Sequence, residues 1–252
     1  MGGQINTNST LGSSNFDGTI QSVAKVNASA GFSITKYTGN GSSGATIGHG
    51  LGVAPSVLIL KRRDGSNSWQ VFHQALGSGK FMDISSSYQA ETSSNRWNDT
   101  SPTSTVFTVG NNSNVNSNGG TEVAYCFSEV AGYSKFGSYI PNQNDDGPFI
   151  YTGFRPRWIL FKSVGNIYGG GSPFSGNWYI LDTARDTYNV ATTTIAPNHS
   201  YAETTSWTNG VMDILSNGFK IRDDDLGINA TLSGSYIYLA FAEAPFKNAR
   251  AR

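Results

Sequence analysis

The feature that most constrains this chain is a repeat of itself. Gly52, Pro55 and Lys61 in GLGVAPSVLILK match Gly153, Pro156 and Lys162 in GFRPRWILFK, all 101 positions on. The offset is 109 at Trp69 and Trp178, 110 at Trp97 and Trp207, 112 at Phe107 and Phe219, and 114 at Phe127 and Phe241. It only rises, by small steps in loops such as NIYGGGSPFSG, as insertions into a tandem duplication require; chance matches would scatter. The joint is Thr121–Tyr139, TEVAYCFSEVAGYSKFGSY, where one copy closes and the next opens without a linker. A period of about one hundred residues is too long for a solenoid, so each copy is expected to be a small domain or half of a larger one.

Val123, Tyr125 and Phe127 alternate with Ala124 and Cys126, the period-two pattern of an extended chain. Ile237, Leu239 and Phe241 repeat it in SYIYLAFAEAPFK. Strands are expected at 31–38, 56–62, 69–73, 80–85, 105–110 and 121–130, between polar turns such as GNGSSG, DGSN and NNSNVNSNGG. No helical stripe of any length interrupts them. The expectation is an all-β fold of tandem duplicated β-sandwich, jelly-roll-like units with a short N-terminal arm. The arm, 1–30, is rich in Gly, Ser and Asn and reads equally as a disordered leader; 31–131 is copy one, 132–247 copy two and 248–252 a tail. Whether the copies form separate sandwiches or exchange strands stays open.

Charge narrows the function classes. Lys plus Arg and Asp plus Glu each number 17, so the formal net charge is zero, and only 13% of residues are charged, about half the usual share. A neutral chain lacks the basic stripe that nucleic acid requires, so no nucleic-acid partner is expected. No apolar run reaches the ~18 residues of a bilayer span, and MGGQINTNST is no signal-peptide core, so no membrane insertion is expected. The single cysteine, Cys126, lies in an apolar strand and reads as packing rather than as a nucleophile.

His49, His73 and His199 show no metal-ligand spacing, and no GxSxG elbow organises a serine; surface or loop histidines are the expectation. NQNDDGP (Asn142–Pro148) and RDDDLG (Arg222–Gly227) bring oxygen side chains together as hard cations require, yet neither matches a calcium loop and both read as solvated turn acids. No catalytic residue, metal or cofactor is therefore expected, and the chain reads as not an enzyme. Among the tryptophans, Trp69/Trp178 and Trp97/Trp207 are paired by the repeat and read as core. Trp158, opposite Val57 in the repeat, and Tyr168 in the long loop are the candidates for stacking on a glycan.

Several long segments together, AGFSITKYTGNGSSGATIGHGLGVAP, VAYCFSEVAGYSKFGSY, DGPFIYTGFRPRWILFK, DTARDTYN and LSNGFKIR, carry a resemblance over about residues 28–247. They resemble a domain of unknown function common in tail-fibre-like and other structural proteins of tailed phages, marine ones especially. The resemblance implies a virion protein on the particle surface, a tail-fibre or appendage subunit in assembly or host adsorption, or else a capsid decoration protein or a carbohydrate-binding host-recognition module. It implies other virion proteins as partners, a homotrimer by analogy with fibres, and a host surface glycan as ligand. Relatives often carry further domains ahead of this one, where the present chain has only the short arm.

Overall fold

Strands form where side chains alternate and stop where Gly, Asn and Ser cluster. A computed structural model describes residues 4–5, 12–168, 176–205 and 207–243, and within them the helices reach only four residues. The chain divides into two units, one within residues 1–83 and 90–129, the other within 84–89 and 130–252.

The first unit runs β1 (Gln4–Ile5), β2 (Ser13–Asn15), β3 (Ser22–Asn27), β4 (Phe32–Thr38), β5 (Ala45–Gly48), β6 (Val57–Arg62), β7 (Gln70–His73), β8 (Lys80–Asp83), β9 (Glu91–Thr92), β10 (Val106–Val109) and β11 (Thr121–Phe127). One sheet has the order β1-β2-β3-β4-β11-β6-β7-β8-β9, and β5 pairs with β10 in a second. Leu58, Leu60, Phe72, Ala124 and Cys126 from the large sheet meet Ala45, Ile47, Phe107 and Val109 from the small one in a single core. Val123, Tyr125 and Phe127, the large residues of β11, therefore lie on the outer face, where each is half-buried.

The second unit runs β12 (Ser134–Tyr139), β13 (Phe149–Tyr151), β14 (Pro156–Ser163), β15 (Tyr179–Asp182), β16 (Met212–Leu215), β17 (Gly218–Ile221) and β18 (Tyr236–Ala242). Its sheets are β12-β18-β14-β15 and β13-β17-β16, with Ile159, Phe161, Leu181 and Tyr238 packed against Ile150, Met212, Ile214 and Phe219. Both units are antiparallel sandwiches. In the second unit β12 pairs with β18 and β13 with β17, and in the first β4 pairs with β11 and β5 with β10, the nesting of a jelly roll. The β14–β15 hairpin stays in one sheet and departs from that plan.

The units agree in detail. The order β4-β11-β6-β7 has its counterpart in β12-β18-β14-β15, and β5-β10 in β13-β17. The Tyr37 hydroxyl donates to Val115 O at 2.5 Å, and that of Tyr139 to Ile228 O at 2.7 Å. Next to each acceptor is a fully buried asparagine, Asn116 or Asn229, ending a helical turn. Asn116 Oδ1 accepts from Asn40 N at 2.9 Å, while its Nδ2 donates to Ser42 O and Gly110 O, both at 2.9 Å. Asn229 Oδ1 accepts from Asn142 N at 2.9 Å, while its Nδ2 donates to Asn144 O at 2.9 Å and Asp223 O at 3.1 Å. Gly52 and Gly153, 101 apart, both take positive φ, +77° and +84°, where a side chain would be strained.

Two expectations need correction. The arm does not extend to residue 30: β3 pairs with β4 across six residue pairs, and Ile20 and Ala24 are buried, so this stretch belongs to the first sandwich. The composition concealed this because small and polar residues surround the few apolar ones that pack. His49 and His73 are not surface residues but fully buried. His49 Nε2 donates to Thr103 O at 3.1 Å and Nδ1 accepts from Leu51 N at 3.2 Å, the pattern of a neutral imidazole, and burial lowers its pKa. The tail at 248–252 and most of the NIYGGGSPFSG loop lie outside the described residues.

Candidate functional site

The two acidic loops converge in the second unit. Asn229, reaching from one loop to Asn142 and Asn144 on the other, holds them together, and Asp145, Asp223 and Asp224 come within 4.8 Å of one another. These carboxylates are the ones among the described residues that could hold a hard cation. Asp223, however, is buried with both oxygens occupied: Oδ1 accepts from Asp225 N and Oδ2 from Asn209 N, each at 2.9 Å. It closes its loop as a turn acid does. Beside it an open cleft of about 530 Å³ is lined by Asp145, Asp146, Val190, Asn209 and Arg222. Asp146 there pairs with Lys220 at 2.7 Å, which holds its carboxyl below the usual range.

The aromatic candidates separate. Trp158 is half-buried on β14, its ring 5.7 Å from that of Phe241. Tyr168 is 61% exposed. The structure gives no contact between the two. Trp97 and Trp178 are fully buried, while Trp69 stacks on Tyr125 and Trp207 meets Tyr179 edge-on. A pattern absent from the sequence reading emerges in the tyrosines. Among the described residues the exposed ones are Tyr88, Tyr151, Tyr168, Tyr188 and Tyr201, and all belong to the second unit. Tyr201 stacks flat on His199, with centroids 4.5 Å apart, on a loop whose ends are tied by the Thr194–Thr204 backbone pair and whose middle is held by Asn198 Oδ1 accepting from Trp178 N.

Buried titratable groups form a third set, and two of them, Glu122 and Lys162, carry no catalytic motif in the sequence. Glu122 on β11 is fully buried, and neither oxygen makes a hydrogen bond of good geometry. Burial pushes its carboxyl up to about 7, against smaller pulls from the Ser117 backbone, Arg62 and Lys61. Lys162 on β14 is also fully buried, with Nζ 3.3 Å from Ser163 O, and burial lowers its pKa to about 7. Burial raises the Cys126 thiol to about 12, the opposite of what an activated nucleophile needs. Strand parity was the available signal for Glu122, since it falls in the row of Ala124 and Cys126 that faces the core.

Among the described residues no helix is long and apolar enough to cross a membrane. No curated protein and no solved structure matches the chain. One family model does, described as a domain of unknown function, DUF7483, and it spans residues 6–245. That match takes in both sandwiches, and the chain belongs to the DUF7483 family.

Proposed function

We propose that this chain is a non-enzymatic structural protein of a phage particle, a tail-fibre or appendage subunit acting in assembly or host adsorption. The observation that carries the reading is the likeness of its long motifs to a domain of phage structural proteins. The geometry supports the non-enzymatic half. His49, Asp223 and Cys126 are each buried and committed to packing or to backbone hydrogen bonds. We also propose that the two sandwiches arose by tandem duplication, for which the paired asparagine networks are the strongest support. Attachment falls to the residues ahead of β2, with the sandwiches facing outward, and the subunits assemble as trimers. Immunogold electron microscopy on intact phage, with antibody against residues 31–247, tests the placement. Gold at the tail end fits an adsorption appendage, gold over the head makes this a capsid decoration protein, and unlabelled particles overturn the virion assignment.

A second reading, host-glycan recognition, is compatible with the first and is favoured by the gathering of exposed tyrosines on one unit. Tyrosine offers a flat apolar face and a polar tip at small entropic cost, which suits sugars. Tyr168→Ala and Tyr201→Ala would each weaken saturable binding to host surface glycan. Trp158→Ala would act less, because that ring already packs on Phe241. Equal binding by all three variants removes this reading.

A further inference from the structure

One end of the large sheet of the first unit carries a cleft of about 310 Å³ whose lining has a consistent chemistry. Ser22 pairs with Tyr37, Thr121 with Thr38, and Arg63 N donates to Thr121 O, so Gln21, Thr38, Thr121 and Arg63 stand in one row across four neighbouring chain segments. Strand spacing sets them about 4.8 Å apart. Val23 and Lys36, paired with each other, form the next row. Gln21, Lys36, Thr38 and Arg63 are exposed. Ser22 and Tyr37 also border the cleft but turn inward, donating to Gly48 O and Val115 O.

The cleft thus offers two cations, two hydroxyls and an amide, and its lining includes no carboxylate. Neither Lys36 nor Arg63 forms an ion pair among the described residues. Asp64, which reaches the edge of the row, has both oxygens occupied, Oδ1 by Arg62 Nε at 2.6 Å and Oδ2 by Thr121 N at 2.9 Å. Glu122 lies in the adjacent row but faces the core. Unpaired cations are notable in a chain whose charges balance overall.

We propose that this cleft binds an acidic saccharide, its carboxylate or sulfate held by Lys36 and Arg63 and its hydroxyls by Gln21, Thr38 and Thr121. The inference rests on the host-recognition reading and names a ligand class for it. Nucleic acid fits less well, because the ring of Tyr37 is buried and no exposed ring is present to stack a base. The test is calorimetric titration of the full chain with dextran sulfate, polygalacturonate and neutral dextran. Binding to either polyanion, weakening as salt rises, and none to neutral dextran is expected; which polyanion binds separates sulfate from carboxylate as the recognised group. Lys36→Ala with Arg63→Ala, both at exposed positions, should weaken binding about tenfold or more, as loss of a charge-assisted contact does. Lys80→Ala, a control on another exposed lysine, should leave it unchanged. No binding to either polyanion, equal binding to neutral dextran, or an equal loss in the Lys80 control would overturn the proposal. Because the cleft variants and the tyrosine variants lie in different units, failure here is distinct from failure of host-glycan binding by Tyr168→Ala and Tyr201→Ala.

Discussion

Glu122 and Lys162 bury ionisable groups of opposite sign, and the consequence is a stability profile with two limbs. Glu122 has a carboxyl raised from an ordinary 4.5 to about 7, so the fold binds its proton more tightly than the unfolded chain does. Its contribution is complete below the ordinary value and is lost as pH rises through about 7. Lys162 is lowered from 10.5 to about 7, so between those values the unfolded chain holds the proton that the fold has released. Stability from this group is therefore complete above 10.5 and is lost as pH falls through about 7. Urea midpoints followed by tryptophan fluorescence should fall from pH 4.5 toward 7 and rise again above it. Glu122→Gln should flatten the acidic limb and Lys162→Met the alkaline one; a variant that flattens the other limb would refute the assignment.

At the scale of elements, the two buried asparagines act as bolts between a loop and a helical turn. Replacing Asn116 or Asn229 by Ala would strip several buried backbone groups of their partners at once, with an expected cost of about 2–4 kcal/mol in either unit by denaturant titration. The corrected start of the first sandwich gives a second expectation. Removing residues 1–11 should leave the thermal midpoint nearly unchanged. Removing 1–30 takes away β2 and β3, buried Ile20 and Ala24 with them, and should unfold the first unit. Much of this architecture was legible in the sequence. The apolar pattern located β4, β6, β7, β8 and β10 to within two residues and β11 to within three, because each carries enough apolar side chains to mark a row. It missed β2, whose residues are Ser, Ser and Asn, and β5, ATIG, because neither has enough apolar residues to set a period. Both acidic loops were visible, but their meeting depends on Asn229, and asparagine in an asparagine-rich chain carries no signal of its own. The row of Gln21, Thr38, Thr121 and Arg63 comes from segments up to 100 residues apart and exists only once register is fixed.

For the whole molecule, balanced charge is the property that solution behaviour should report first. With a pI near 6.8 and few charges of either sign, long-range repulsion between copies vanishes close to neutrality. Light scattering at low salt should show self-association strongest near pH 6.8 and weaker toward either side; a flat profile would mean that association is governed by a specific interface. The place of β11 has a different consequence, for synthesis. It lies between β4 and β6, yet it is the last strand of its unit to be made, and β18 stands likewise between β12 and β14. Until residue 127 has left the ribosome, β4 and β6 are two unpaired edges flanking an empty slot. Each unit must therefore fold after its own translation is complete, in one late step that inserts a central strand. While the slot is open, any chain with the same alternation can fill it, and β18 of the same or a neighbouring molecule is built to that pattern.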